Sequence, residues 1–215
     1  MAPEPTETQD CDLAGAEICA WPDGSRFVRL ATGRHVFQAR AILHAGCSRA
    51  ALFCGPAAMA GTFAALARAL SCLGASALYV HPRQVLGPDQ TLSCCERFLR
   101  QRGVERLALV GAGQSAAAAV GAACALDAEC VVVLAPPELP TAPQADLLRG
   151  RPLLVCSQGD EWRLEPLAGL PHATRAHFAL AGACFDEVRS DLTSVCVPFL
   201  AASLGVAGQE PCRTP

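Results

Sequence analysis

The 215-residue sequence contains no lysine, so all 17 of its basic residues are arginine. It is also poor in aromatics, with 5% Phe, Trp and Tyr and a single tyrosine. The formal net charge is −3 and no basic stripe is present, which excludes the electrostatic footprint of a nucleic-acid binder. An arginine-only complement beside abundant Ala, Gly and Pro reads as GC-rich coding, not as selection for phosphate contacts. Long hydrophobic runs are missing too. None reaches the roughly 18 to 20 residues needed to span a bilayer, although 52% of the chain is hydrophobic, much of it alanine. The acidic, Pro-bearing start (Met-Ala-Pro-Glu-Pro) is unlike a signal peptide, and a cytoplasmic location is expected.

Cysteine is plentiful but unpatterned. Thirteen residues, an odd number, are scattered from Cys11 to Cys212. No C-x-x-C pair occurs, and the vicinal Cys94-Cys95 has no zinc-ligand spacing. Cys54, Cys130 and Cys156 stand inside apolar runs, so they read as small buried hydrophobes in a reducing compartment. No metal site and no cofactor is expected.

What is present is a change of period along the chain. Residues 1–22 are polar and aperiodic and predict a disordered arm. Ser25–Ala31 and His35–His44 alternate around Thr32-Gly33-Arg34 and predict a β-hairpin. From Ala50 onward, short apolar strands alternate with helices of roughly 10 to 15 residues. The strands are Ala50–Cys54, Ala77–Val80, Arg106–Ala112, Cys130–Leu134, Pro152–Cys156 and His177–Leu180.

A helix carrying Phe63, Leu66, Leu70 and Leu73 is expected to close at Gly74. A second, capped by Asp89 or Thr91, ends at Gly103. An Ala-rich helix follows over 116–125, a short one over 144–149, and a last one bears Val188, Leu192, Val195, Cys196, Phe199 and Leu200, with Pro198 implying a kink or a late break. This order predicts an α/β fold: a mostly parallel central sheet with an N-terminal antiparallel hairpin and helices on both faces. One domain, 23–206, would lie between the arm and a tail, 207–215.

The organising stretch is Leu107-Ala-Leu-Val-Gly-Ala-Gly-Gln-Ser-Ala116, a strand, a tight turn over 111–115 and a helix start. Ligands and chemistry gather at such turns, where backbone N–H groups face outward. Together with the strand ending at Gly55-Pro56, the acidic turn Ser157-Gln-Gly-Asp160-Glu and the Ala181-Gly-Ala-Cys-Phe185 turn, this layout resembles the α/β-hydrolase superfamily over about residues 25 to 205. The resemblance implies a three-layer α/β-hydrolase-like sandwich and a serine held in G-x-S-x-G at the tip of the turn. It also implies a Ser-His-Asp triad and a small acyl or ester ligand.

Two registers compete for that tip. Aligning the strand lead-in puts Gly113 at the nucleophile position and leaves the turn without a nucleophile. Sliding by two gives Gly113-Gln114-Ser115-Ala116-Ala117, with Ser115 as nucleophile, and demands a strand two residues longer with Gly111 inside it. The first register is favoured.

Asp160 matches the place of the triad acid, which orients and charge-stabilises the histidine. The histidine fits worst. The family carries it after the final strand, where Cys184 and Phe185 stand. His177, at the start of or on that strand, is the candidate, with His172 in the loop before it. Oxyanion donors would come from residues following Gly55 and from Gln114 or Ala116, with Gly55, Pro56, Gly111 and Gly113 shaping the turns that carry them. His44 and His81 read as ordinary loop or strand-end residues.

The favoured function is therefore a non-catalytic or weakly active relative with an impaired triad. An active serine hydrolase of a small ester or thioester using Ser115 is the alternative. Gly111-Ala-Gly113-Gln-Ser-Ala116 also fits G-x-G-x-x-A, which would seat NAD(P), but the end of the next strand, Ala135-Pro-Pro, lacks the ribose-binding acid. No long cap insertion is evident, so an open, shallow site is expected.

Overall fold

The computed structural model describes residues 18–20, 25–32, 35–81, 87–137, 148, 150–158, 173–178 and 189–206. Nine strands form one sheet: β1 (Ile18–Ala20), β2 (Arg26–Thr32), β3 (His35–Ile42), β4 (Arg49–Cys54), β5 (Ser76–Val80), β6 (Arg106–Ala112), β7 (Ala128–Leu134), β8 (Leu153–Gln158) and β9 (Ala173–Phe178). Their spatial order is β1-β2-β3-β5-β4-β6-β7-β8-β9. The first three strands and the β3–β5 pair run antiparallel, and the rest is parallel. Four helices are described: α1 (Ala60–Cys72), α2 (Pro88–Arg100), α3 (Ser115–Ala122) and α4 (Arg189–Leu204).

The inner parallel strands β4 to β7 are apolar along most of their length because both faces are covered. In β4, Ala50 through Cys54 are fully buried. Alternate residues feed two cores. Leu52, Cys54, Leu109, Val131 and Val133 pack with α2 and α3 through Leu92, Cys95, Ala116 and Val120. Phe53, Val110, Val132, Leu154 and Cys156 pack with α1 and α4 through Phe63, Leu66, Leu192, Cys196 and Leu200. The chain thus makes the expected three layers.

The arginines have a structural use at the amino edge of the parallel strands. Arg106 pairs with Glu129 at 3.0 Å and donates to Ser203 O at 2.8 Å, tying β6 and β7 to the end of α4. Arg100 donates to Glu96, to Leu126 O and to the carbonyls of Val104 and Glu105. Arg151 reaches Ala128 O and Asp127. A planar guanidinium with several donors can serve loop carbonyls and a carboxylate together, which a lysine ammonium does less well.

Several sequence expectations need correction. Ile18–Ala20, inside the stretch read as an arm, pairs with β2 as an edge strand. Neither Asp89 nor Thr91 caps α2. Gly87 is the N-cap, Pro88 takes the first helical position, and the Thr91 hydroxyl donates back to Gly87 O, in keeping with proline's preference for that position. α3 runs over Ser115–Ala122 and not 116–125. β8 continues to Gln158, through residues expected to turn, and β9 spans Ala173–Phe178 in place of 177–180. α4 continues through Pro198 to Leu204. The helix expected over 144–149, apart from Leu148, the arm before Ile18 and the tail after Val206 lie outside the described residues.

Candidate active site

The sheet order has a switch point. From β4 the chain crosses to β5 on one side, then returns to place β6 on the other, so the connections diverge between β4 and β6. Ligands of open α/β sheets bind outside the carboxyl ends of strands at such a switch point. Here those ends are Cys54-Gly55 and Ala112-Gly113.

Two close approaches shape this edge. A Cβ on Gly55 would lie 2.8 Å from Ala112 Cβ and 2.9 Å from Phe63 Cζ. A Cβ on Gly111 would lie 2.6 Å from Ser115 O and 2.7 Å from Ala119 Cβ. Glycine at these positions lets β4 meet β6, and β6 meet α3, without a side chain between them.

Gly111 is inside β6, paired with Cys54 and Val133. The strand is therefore as long as the Ser115 register required, and strand length does not separate the two registers. The turn nonetheless comes at Gly113, which has φ +56°, a left-handed conformation natural to glycine. Its N–H donates to Leu134 O at 2.9 Å, and its carbonyl accepts from Ala116 N–H at 3.0 Å. Gln114 is already right-handed helical, and Ser115 opens α3. The space where a Gly113 side chain would begin is open, with the Pro56 ring at 3.6 Å, an ordinary contact.

Ser115, the sequence candidate for nucleophile, is 3% exposed. Its hydroxyl is hydrogen-bonded with the thiol of Cys54. Burial pushes that thiol up to about 11, the Ser115 bond opposes the shift and the charge of Asp89 adds to it. Cys54 is accordingly a protonated, inert partner and no competing nucleophile.

The oxyanion candidates narrow as well. Gly55 N–H bonds to Val80 O, and Ala116 N–H to Gly113 O. Pro56 has no N–H. Gln114, exposed directly after the tip, remains the candidate donor on the β6 side.

Asp160 and His172 lie outside the described residues. Asp160 follows the end of β8 by two positions. His177 is the penultimate residue of β9, opposite Ser157 of β8 in register. It therefore sits toward the carboxyl edge and not at the strand's start, yet on the strand and not in a turn after it.

His81 was underrated by its sequence. It follows β5, and its Nδ1 is 3.0 Å from Gly55 O. A carbonyl only accepts, so Nδ1 carries the proton and Nε2 is left for other partners when the ring is neutral. The ring lies parallel to Phe63 and edge-on to Tyr79. The available signal was its place after the strand flanking β4. His44, by contrast, is at the opposite edge, its Nε2 2.8 Å from Ser71 Oγ, beside a cavity of about 510 Å³ lined by Leu43, Cys47, Ser76 and Arg102 among others.

No group of three or more metal-ligating side chains occurs among the described residues, and no helix there is long and apolar enough to cross a membrane. No protein-family model matches the sequence, and no curated protein does. Solved structures match the fold. An esterase domain from Rhodothermus marinus aligns at 18% identity with TM-score 0.63, covering 81% of this chain and 97% of its own. An α/β serine hydrolase without lid from Xanthomonas campestris aligns at 17% and TM-score 0.62, covering 92% and 100%. An α/β serine hydrolase homologue from Coxiella burnetii aligns at 16% and TM-score 0.56, covering 87% and 98%. The chain has an α/β-hydrolase-like fold.

Proposed function

We propose that this protein is a non-catalytic or weakly active α/β-hydrolase-fold protein whose nucleophile elbow is kept in shape but carries no nucleophile. The observation behind this reading is Gly113, with φ +56° at the tip of the turn after β6. Active members of the fold hold a serine in that strained conformation between small neighbours. Gly111 and Ser115 are those neighbours here, two residues before and two after. In this reading Ser115 is a packing residue, consistent with its burial and its bond to Cys54.

With the nucleophile absent, Asp160 and His177 have no hydroxyl to activate. Loss of a triad member leaves only the residual stabilisation from binding and oxyanion donors. The crevice between Pro56, Gly113 and Gln114 would then hold a small acyl or ester ligand without forming an acyl-enzyme.

The dinucleotide reading has less support. β7 ends at Leu134, where Ala135-Pro136 follows and no acid stands ready for a ribose. The use of Ser115 as a nucleophile would require its buried hydroxyl to leave Cys54.

The test is a panel of short-chain p-nitrophenyl esters and thioesters with purified wild type and Ser115→Ala. Both proteins are expected to hydrolyse them at equal rates, close to buffer. A wild-type rate above buffer that falls by about 10³-fold or more in Ser115→Ala, the size of a triad deletion, would overturn the proposal.

A further inference from the structure

A second feature lies between β8 and α4, independent of the elbow. Cys156 and Cys196 are 40 positions apart in sequence, yet their sulfurs are 3.8 Å apart, and both residues are fully buried. A disulfide needs about 2.05 Å between sulfurs, so the two must still approach each other to bond. The pair belongs to the α1/α4 core, with Leu154, Leu192 and Leu200.

We propose that Cys156 and Cys196 are a disulfide-forming pair, which on oxidation closes residues 157–195 into a covalent loop and bolts α4 to β8. The loop spans the sequence positions of both Asp160 and His177.

Reaction needs one sulfur to meet an oxidant, and α4 provides the opening. Pro198 lies in the helix two residues after Cys196. It has no N–H to donate to Ser194 O, so the helix lacks a bond next to the cysteine. Opening of this turn exposes Cys196 first. Its thiolate attacks glutathione disulfide, forming a mixed disulfide and releasing one glutathione thiolate. The Cys156 thiolate then attacks the Cys196 sulfur, the protein disulfide forms, and the second glutathione thiolate leaves. Two electrons pass from the protein pair to the oxidant, and the two cysteine protons end on the two glutathione thiols. In the closed state the mutual hydrogen bond and burial hold Cys156 protonated, so the reaction is gated by opening and slow.

The experiment equilibrates folded wild type with glutathione disulfide, blocks the remaining thiols, and maps tryptic peptides without reduction. Fragment spectra should place a link between Cys156 and Cys196, and not Cys212 of the same peptide. Thermal unfolding should rise on the order of 10 °C, as expected for a closed loop of this length in a domain of this size, and return with dithiothreitol. Cys196→Ala and, separately, Cys156→Ala should each abolish link and shift while remaining folded by circular dichroism. If both thiols stay reduced in the folded protein, if they link to other cysteines, or if the bond forms only in denaturant, the proposal fails. None of these outcomes bears on whether the elbow carries a nucleophile.

Discussion

Gly111→Ala is expected to destabilise the protein by about 3 kcal/mol, whereas Gly113→Ala, two residues on, should cost only about 1 kcal/mol. The contrast follows from what each new methyl group meets. At Gly111 it would lie 2.6 Å from Ser115 O, 2.7 Å from Ala119 Cβ and 2.9 Å from Ala116 Cα. Two of these are helix backbone atoms, so α3 must shift off the sheet. At Gly113 the nearest atoms are Pro56 Cδ and Cγ at 3.6 and 3.7 Å. The cost there is the left-handed φ alone, roughly 1–2 kcal/mol, partly offset by a stiffer unfolded chain. Urea denaturation of both variants measures the two values. A reversed order would mean that the turn is not built around Gly113.

Phe63→Ala carries the largest expected loss, about 3–5 kcal/mol. The ring is fully buried, 5.5 Å from Phe53 by centroid and parallel to His81. It also supports the crevice from beneath, since Phe63 Cζ occupies the space beside Gly55. Denaturation of Phe63→Ala, Gly55→Ala and the double variant tests both statements. Gly55→Ala should cost about 1 kcal/mol less once the ring is gone, a coupling within the range for residues in contact. Ala112 Cβ, at 2.8 Å, keeps the relief incomplete. Additive losses would show that Phe63 does not set the floor of the crevice.

How far the sequence revealed this depended on how much each segment's pattern owed to burial. β4, β6 and β7 are covered on both faces, so Ala50–Cys54, Leu107–Val110 and Val131–Leu134 are nearly unbroken apolar runs that announce themselves. β9, Ala-Thr-Arg-Ala-His-Phe, has no such run, so the pattern starts the strand four residues late, at His177, which the structure puts near the strand's end. The short pairing of Ile18–Ala20 depends on β2 beside it, a partner that local polarity does not disclose. α2 was missed at its cap because Gly87-Pro88 starts the helix by backbone geometry, while Asp89 and Thr91 offered more familiar side chains.

At the site, the favoured register of the turn was legible from the strand lead-in, but the supporting reason was not. Gly111 falls in both the expected strand, Arg106–Ala112, and the expected turn over 111–115, and is part of β6. Its lack of a side chain serves the crossing of α3, a contact between elements that sequence spacing alone does not display. Ser115 looked like a nucleophile because its type is right. Its burial against Cys54, on a strand more than 60 positions earlier, becomes visible only in three dimensions. The same holds for His81, joined to Gly55 by a hydrogen bond across neighbouring strands.

The most direct measurement is intact-mass and peptide mass spectrometry of folded wild type after treatment with a fluorophosphonate, which phosphonylates activated serines. An empty elbow predicts no adduct on the native protein, and no difference between wild type and Ser115→Ala. A stoichiometric adduct on Ser115 of the folded protein would contradict it.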